Sequence, residues 1–398
     1  MKYENLISLR YYFRSRKSFK YDFLISIRMD SEESSIGKTS ASNKSFDQSK
    51  CEAFGGRMLG ILNDATLALM ISLGHQIKLF DVMSKLPPSS SSEISLAATL
   101  NERYVREWLG AMVTGKIVDY DHENKRYSLP SEHAACLTRE AGLNNVAVYT
   151  QYLALLGNVE QKIIKCFQKG GGVPYSEYPR FQELQAEETA RIYDAMLLDR
   201  IIPLVEGLDD RLKDGIDVLD VGCGRGHAIN ILARAYPNSR FVGYDLSKEG
   251  IETGKKEAEE WGLTNARFEA KNVTSINEPE KYGLVTAFDT IHDQAHPTLV
   301  LSAIHKGLQS NGGIFLMQDI AASSNVEENV GSPLGTMLYA VSTMHCMTVS
   351  LAYGGEGLGT AWGKQKAEKM LKEAGFSGTI EIKEVPGDIL NYYYVARK

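Results

Sequence analysis

Apolar side chains recur with two different periodicities along this chain, and the change of periodicity divides the chain into two parts. Between residues 54 and 115 they return every three or four positions, which predicts a series of amphipathic helices. Beyond residue 216, short apolar runs alternate with helical patterns, which predicts an α/β fold with a parallel, doubly wound sheet. Residues 30–50 are rich in Ser, Asn, Lys and Asp, so we expect them to be disordered.

The first helical region ends in a hairpin pattern. Helices are predicted over residues 77–83, 92–100 and 101–112, with Asn101 as the N-cap of the last, and a β-hairpin is predicted over residues 117–129. This is the element order of a winged helix-turn-helix, in which helix 101–112 would read DNA. Acidic residues slightly outnumber basic ones between residues 58 and 139, so this region lacks the positive charge that binds DNA phosphates. A structural role, in dimerisation and in covering a catalytic site, is therefore favoured over DNA binding.

These patterns divide the chain into four regions. Residues 1–50 are predicted to be a disordered extension, 51–140 a winged-helix domain, 141–200 a helical linker and 201–398 a ligand-binding domain. The linker contains three glycines and two prolines between residues 170 and 179. They indicate either a flexible connector or a loop folded over the binding cleft, with Tyr175 or Tyr178 lining it.

Composition narrows the functional classes. A net charge of −6 argues against a protein that mainly binds nucleic acid. The five cysteines are scattered without CxxC spacing, which favours a reducing, cytoplasmic setting over a disulfide framework or zinc site. We expect no membrane span, because the longest apolar run, residues 65–73, is short and resembles a buried helix. The basic residues 1–28 are either a mitochondrial targeting segment or an extension before an alternative start at Met29.

A glycine-rich turn carries the candidate binding chemistry. An apolar strand over residues 218–221 runs into Gly222, Gly224 and Gly226, and a helix is predicted from His227. Alternate glycines allow a sharp turn with positive φ and a close approach to a ligand. The sequence lacks GxxxxGK[ST], which argues against a nucleoside triphosphate.

Two carboxylates flank this turn. Asp220 would repel a phosphate at the helix N-terminus but suits a cationic ammonium, which favours S-adenosylmethionine over a dinucleotide. Asp245 ends the next strand, where an acid fits the ribose hydroxyls, although it could also cap the following helix.

With these motifs, residues 216–319 resemble a class I S-adenosylmethionine-dependent methyltransferase. Together with residues 54–140, most of the chain resembles the two-domain family with a winged-helix N-terminal domain. The shared markers are residues 103–109, 170–175, 289–294 and 354–359. The resemblance implies a seven-stranded sheet in a methyltransferase domain over residues 201–398.

The same resemblance assigns the cofactor contacts. It implies that Asp220 and the three glycines hold the methionine end, that Asp245 takes the ribose, and that Asn272 and Val273 contact the adenine. The family often has Asp where Asn272 stands, but an amide can also pair with adenine. Asp289, at the end of the fourth strand, should face the same cleft.

A histidine just past the fourth strand is the candidate catalytic group. His292 could remove a proton from the methyl acceptor, and its sequence context is similar to that of caffeate-type O-methyltransferases, in which Asp319 would correspond to the group that orients the base. The alternative is a histidine that merely caps a helix. His345 and Cys346, on a predicted Met-rich helix over residues 334–350, are secondary pocket candidates. The glycine-rich residues 353–362 are predicted to form a mobile lid.

The sequence therefore predicts methyl transfer to a small, partly apolar molecule by a cytoplasmic homodimer, with oxygen favoured over nitrogen or carbon as the acceptor atom. We expect no nucleic-acid or membrane partner and no metal ion, since no cluster of carboxylates is evident. The alternative is a catalytically inactive protein that keeps the cofactor fold and uses its winged helix to contact protein or DNA.

Overall fold

A computed structural model describes residues 46–398 of the chain. The predictions for residues 1–28, and for disorder up to residue 45, lie outside the described residues. The first helix, α1 (Gln48–Gln76), begins inside the segment predicted to be disordered, so that prediction is wrong for residues 48–50. The boundaries proposed at residues 140 and 200 remain predictions.

Helix α1 also changes the membrane prediction. It has 29 residues, and by length and composition alone it is apolar enough to cross a membrane, with a mean hydropathy of 1.3 over its best window. Only 17% of that window is buried, and Phe54, Leu62 and Leu73 are exposed. The expectations that no apolar stretch approaches membrane length, and that residues 65–73 form a buried helix, are therefore wrong. Length and composition do not distinguish a membrane span from a helix covered by a partner subunit.

The winged-helix order is confirmed. Helices α2 (Leu79–Met83), α3 (Ser91–Ala98) and α4 (Glu102–Thr114) precede the hairpin strands β1 (Asp119–Asp121) and β2 (Arg126–Ser128). Asn101 caps α4 as predicted, its side chain accepting the Arg103 N–H at 3.0 Å. Trp108 holds α4 in place because its ring packs edge-on to Phe80 at 5.3 Å and its Nε1–H donates to the Met70 carbonyl at 2.8 Å.

Several short helices connect this domain to the sheet. They are α5 (Ser131–Leu137), two 3₁₀ segments (Arg139–Asn144 and Val146–Thr150), α6 (Gln151–Gly157), α7 (Glu160–Lys169) and α8 (Phe181–Met196). The predicted helical linker is thus several short segments, and α6 ends at Gly157 and Asn158, which are weak helix formers.

The predicted α/β sheet is confirmed, with seven strands in the order β5-β4-β3-β6-β7-β9-β8. The parallel strands are β3 (Asp217–Val221), β4 (Arg240–Asp245), β5 (Ala266–Ala270), β6 (Leu284–Phe288) and β7 (Ile314–Ile320). Strands β8 (Glu381–Lys383) and β9 (Asn391–Arg397) form an antiparallel edge. The chain order reverses between β3 and β6, and such a switch point opens a crevice at the carboxyl ends of the strands.

Helices cover the sheet and complete the crevice. The sheet packs against α9 (Leu208–Asp214), α10 (His227–Ala235), α11 (Lys248–Glu260), α12 (Pro297–Gly307) and α16 (Gly363–Glu373), with apolar cores on both faces. The short α13 (Val326–Asn329) precedes α14 (Gly335–Val341) and α15 (Met347–Ala352), which are joined by one π-helical turn, Ser342–Cys346. The predicted helix over residues 334–350 is therefore confirmed, with an interruption of a kind often found at functional sites.

Candidate active site

A cavity of about 1270 Å³, its open mouth included, lies at the carboxyl ends of β3 and β6. It brings together most of the residues singled out from the sequence. The predicted site residues that line it are Asp220, Gly222, Gly224, Gly226, Asp245, Asp289 and His292. Asp319 lies behind His292, whereas Asn272 and Val273 are not among the lining residues.

Gly222, Gly224 and Gly226 all lack a side chain, but what a side chain would meet differs between them. All three have positive φ, at 72°, 53° and 73°. A Cβ on Gly222 would lie 2.1 Å from Thr290 Oγ1, and one on Gly226 would lie 2.3 Å from the Phe268 ring, so both positions are fixed by packing. A Cβ on Gly224 would meet only Gln182 Oε1, at 3.9 Å. Gly224 is therefore the position whose backbone is open to a ligand.

The flanking carboxylates shape this end of the cavity for a ligand without phosphates. Asp220 is buried beside Thr286, whose hydroxyl donates to it at 2.7 Å, and burial raises the pKa of Asp220 to about 7. Asp245 accepts the Gly224 N–H at 2.9 Å and the Ser247 N–H at 2.7 Å. The alternative capping role belongs to Ser247, which accepts the N–H of Gly250. Acids with spare acceptor capacity fit an ammonium and ribose hydroxyls, so the residues fit S-adenosylmethionine.

The predicted adenine contacts lie elsewhere. Asn272 is exposed, and its Oδ1 accepts the Thr274 N–H at 3.0 Å at the start of a 3₁₀ turn. Val273 is buried in the core beside the sheet. Their role in binding adenine stays a prediction.

His292 is buried at the cavity wall between two carboxylates. Its Nδ1 lies 2.8 Å from Asp319 Oδ1, an oxygen that also accepts the Trp362 Nε1–H at 2.9 Å. Its Nε2 lies 3.2 Å from Asp293 Oδ1, too poorly aligned for a hydrogen bond. The helix-cap alternative is wrong, because α12 begins only at Pro297.

The charges around His292 favour its protonated form. Burial alone would lower the pKa of His292, but the carboxylates of Asp319 and Asp293 outweigh it and raise that pKa well above its ordinary value. Asp289 adds a third carboxylate, 3.9 Å from Nδ1. The expectation that no carboxylate cluster exists here is therefore wrong. Ligand atoms of Asp289, His292 and Asp319 all lie within 4.8 Å, and an imidazolium supplies the positive charge that this cluster requires.

Helices α6 and α8 contribute a buried chain of polar groups that the sequence did not reveal. Tyr152 Oη lies 2.5 Å from Glu188 Oε2 and 2.9 Å from Gln185 Oε1, and Gln185 Nε2 donates to Asp289 Oδ2 at 3.0 Å. Three contacts share only two donors, the tyrosine hydroxyl and the amide, whichever way the amide is placed. A proton on one of the two acids gives each of the three contacts a full hydrogen bond, instead of one hydroxyl proton shared between two acceptors. Burial raises the pKa of Glu188 to about 7 and that of Asp289 to about 6.

The glycine-rich loop over residues 170–179 is folded over the cleft, as the second alternative predicted. A Cβ on Gly172 would lie 1.9 Å from the Thr348 carbonyl oxygen, and the Val173 N–H donates to that oxygen at 3.2 Å. Tyr175 lines the cavity and donates to Asp293 Oδ2 at 2.8 Å, whereas Tyr178 packs behind it. Contact with α15 fixes the loop, so it is not a flexible connector.

The predicted lid is anchored at its end. Within residues 353–362, Trp362 is buried on Asp319, and Thr360 Oγ1 donates to Cys346 Sγ at 3.0 Å. Tyr353, at the other end, is 56% exposed. Only the first part of this loop is exposed enough to act as a lid.

His227 joins three helices at the cavity mouth. Its Nδ1 lies 2.7 Å from Glu257 on α11, and its Nε2 lies 3.0 Å from Asp194 on α8. Burial lowers its pKa, but the two carboxylates outweigh burial, so the pKa of His227 is raised. The protonated imidazole therefore stabilises the position of α8 over the sheet.

Comparison with known families agrees with this geometry. Residues 65–139 match a model described as an Rv2258c-like winged HTH domain, and residues 212–375 match a model described as a methyltransferase domain. The chain combines a winged helix-turn-helix domain with a methyltransferase domain of the S-adenosylmethionine-dependent type. The cofactor of this methyltransferase is accordingly S-adenosylmethionine.

Individual relatives cover the methyltransferase unevenly. It is 32% identical over 111 residues to the mitochondrial ubiquinone biosynthesis O-methyltransferase of Candida albicans, which is 27% of this chain and 34% of that protein. The chain spans between 30% and 54% of the length of the first curated relatives it matches.

Solved structures share the fold over almost their whole length. A protein of Nostoc punctiforme PCC 73102 assigned as an O-methyltransferase has a TM-score of 0.66 at 20% identity, covering 86% of this chain and 98% of that one. Human N-acetylserotonin methyltransferase in complex with S-adenosylmethionine has a TM-score of 0.62 at 16% identity, covering 89% and 99%. At these identities the likeness shows the fold.

Proposed function

We propose that this methyltransferase transfers a methyl group to a hydroxyl of a small, partly apolar molecule, with His292 as the general base. The observation that carries the proposal is the position of His292, which is buried at the wall of the cavity that also contains the glycine turn. Aromatic side chains line the rest of the cavity, including Tyr149, Tyr193 and Phe288, and suit a flat apolar acceptor.

The cavity residues have separate roles in binding the cofactor, orienting the acceptor and removing its proton. When bound, S-adenosylmethionine supplies an electrophilic methyl group. Gly224, Asp220 and Asp245 would hold it, and the aromatic wall orients the acceptor and excludes water. His292 takes the hydroxyl proton on Nε2 as the acceptor oxygen is methylated, while Asp319 keeps the proton on Nδ1 in place.

This role requires His292 to be neutral before it acts. Since the surrounding carboxylates favour the imidazolium, the reactive fraction of the enzyme should increase as the pH rises through the raised pKa of His292. Activity should therefore be higher in mildly alkaline than in mildly acidic solution.

The test is a screen of hydroxylated metabolites with methyl-labelled S-adenosylmethionine, followed by His292→Ala. Loss of the base should lower kcat by about 10²–10⁴-fold. His296→Ala is the matched control, because His296 is exposed in the same loop. Near-full turnover by His292→Ala would contradict the general-base role. Cofactor binding without turnover on any acceptor would favour the inactive, regulatory alternative.

We also propose that the methyltransferase is a cytoplasmic homodimer assembled through its N-terminal domain. Leu69, Leu73 and Ile77 of this domain are 41%, 50% and 43% exposed, which is more apolar surface than one exposed helix usually leaves to water. Within residues 46–398 the five cysteines are free, as a reducing compartment would require. Light scattering should give the dimer mass, and a Leu69→Lys/Leu73→Lys variant should give the monomer mass. A monomeric wild-type protein would contradict the proposal.

A further inference from the structure

His345 is a buried polar side chain without a partner at the cavity wall. It lies on the π-helical turn between α14 and α15, lines the cavity and is 2% exposed. Its Nε2 has no hydrogen-bond partner among residues 46–398. An unpaired buried polar atom of this kind is destabilising unless a ligand pairs with it.

Three aromatic rings fix the orientation of this imidazole. Phe181 stacks on it with 4.1 Å between ring centres, while Tyr178 and Tyr175 meet it edge-on at 4.7 and 5.5 Å. Tyr178 is itself held, because its hydroxyl donates to the Met344 carbonyl at 2.5 Å. The His345 ring is therefore preorganised and does not turn to find another partner.

The neighbouring thiol is the hydrogen-bond partner of the other ring nitrogen, Nδ1. Burial lowers the pKa of His345 to about 4, so the ring is neutral, and burial raises the pKa of Cys346 to about 12, so the thiol keeps its proton. Cys346 Sγ lies 3.6 Å from His345 Nδ1 and accepts from Thr360. The carboxylates around the other imidazole near the thiol, His292, favour its protonated form, which is a donor and not an acceptor for the thiol. An S–H that donates to His345 Nδ1 leaves the His345 proton on Nε2.

We propose that His345 Nε2–H recognises a second oxygen of the methyl acceptor, either a carbonyl or a hydroxyl close to the one that is methylated. The inference rests on the proposed function, because it assumes that the acceptor hydroxyl contacts His292. Both imidazoles border one thiol, since Cys346 Sγ lies within 4.8 Å of the ligand atom of His292. The two oxygens must then be near neighbours in the acceptor, as in a catechol or an ortho-hydroxycarbonyl compound.

This pairing gives the acceptor site a preference for such compounds. An acceptor with the second oxygen satisfies the buried donor, whereas an analogue without it leaves the donor unpaired. A site built to hydrogen-bond a ligand group should then favour the matching ligand by about 10-fold or more.

The experiment compares catechol with phenol, two probes that differ by one hydroxyl. Both are titrated against the full-length protein saturated with S-adenosylhomocysteine, using wild type, His345→Phe and the control His296→Phe. We expect wild type and control to prefer catechol by about 10-fold, and His345→Phe, which keeps an aromatic ring on Phe181, to prefer it by less than about 2-fold. The affinity for S-adenosylhomocysteine should not change.

A second measurement does not depend on any variant. Long-range ¹H–¹⁵N spectra of the histidine-labelled wild type should show His345 with its proton on Nε2, and catechol should shift that signal. A proton on Nδ1, no catechol preference in the wild type, absence of binding by either probe, or the same preference in His345→Phe would each overturn the inference. Methyl transfer to both probes at equal rates would overturn it and leave the proposed function standing. A His345-dependent preference without any methyl transfer would do the reverse.

Discussion

Replacing Glu188 by Gln should stabilise this protein above neutral pH, although the substitution removes a buried charge-bearing group. Glu188 lines the cavity and is connected to Asp289 through Tyr152 and Gln185, so that one proton on either acid completes the chain of hydrogen bonds. The neutral amide resembles the protonated acid, so it keeps the shape of the site and does not have to ionise.

The size of the effect follows from the raised pKa. Burial moves the pKa of Glu188 from 4.5 to about 7. A raised carboxyl pKa means that the stabilising contribution is fully present below pH 4.5 and is lost as the pH rises through 7. At about 1.4 kcal/mol per pKa unit, the gain in the free energy of unfolding is at most about 3 kcal/mol, and sharing of the proton with Asp289 reduces this gain to about 2 kcal/mol.

The preceding residue provides a control of opposite sign. Glu187 contacts His75 at 2.9 Å and Gln151 at 3.0 Å, and these contacts, with Arg139 nearby, lower its pKa to about 2. Its contribution is present above pH 4.5 and is lost as the pH falls through 2. Glu187→Gln should therefore destabilise the protein at pH 7, by about 1–2 kcal/mol after allowance for its partial exposure.

Urea unfolding at pH 4.5 and pH 8 measures both variants. Glu188→Gln should match the wild type at pH 4.5 and exceed its free energy of unfolding at pH 8. Glu187→Gln should be less stable than the wild type at pH 8. If Glu188→Gln were no more stable than the wild type at pH 8, the conclusion that Glu188 or Asp289 holds a proton in the native protein would be wrong.

Three further predictions concern the glycine turn, the base and the cavity mouth. Gly224→Ala should abolish calorimetric binding of S-adenosylhomocysteine while lowering the melting temperature by only about 2–4 °C, the cost of a side chain at positive φ. Gly222→Ala should lower the melting temperature much further, because its Cβ would also meet Thr290, and equal losses would refute this difference. Asp319→Asn should lower kcat and move the pH–rate midpoint to lower pH, since one of the carboxylates that raise the pKa of His292 is removed; an unchanged midpoint would count against the pairing. His227→Gln should lower the free energy of unfolding by about 1 kcal/mol at pH 6 and by less at pH 9, because a histidine with a raised pKa stabilises the fold below pH 6.5 and that contribution is lost as the pH rises. If urea unfolding showed the same difference at both pH values, the protonated His227 would not stabilise the position of α8.

The sheet and the cofactor turn were predictable because their signals are local. Alternate glycines after an apolar strand, and acids at strand ends, specify backbone geometry within a few residues. Asp289, Asp293 and Asp319 follow strands β6 and β7, which are neighbours in the sheet. The carboxylate cluster around His292 is therefore predictable only when the carboxyl ends of these two strands are placed side by side at one edge of the sheet, and not from any single acid.

The acceptor end was not predictable in the same way. Tyr152 and Glu188 come from different helices, and their contact depends on how α6 and α8 cross, which no periodicity specifies. Likewise the apolar residues of α1 predicted a helix, but whether a helix of that length is buried depends on what packs on it. The fixed loop at Gly172 is a further case, because a glycine that permits close approach and one that permits flexibility look alike in sequence.

The pH dependence of methyl transfer tests the central claim most directly. The measurement is kcat/KM of the wild-type methyltransferase for a hydroxyl acceptor between pH 5.5 and 9.5, with saturating S-adenosylmethionine. We predict a rise through a midpoint above 6.5, because His292 must lose the proton that Asp319 and Asp293 stabilise before it can act as a base. A rate that is independent of pH over this range, or one that falls as the pH rises, would contradict the account.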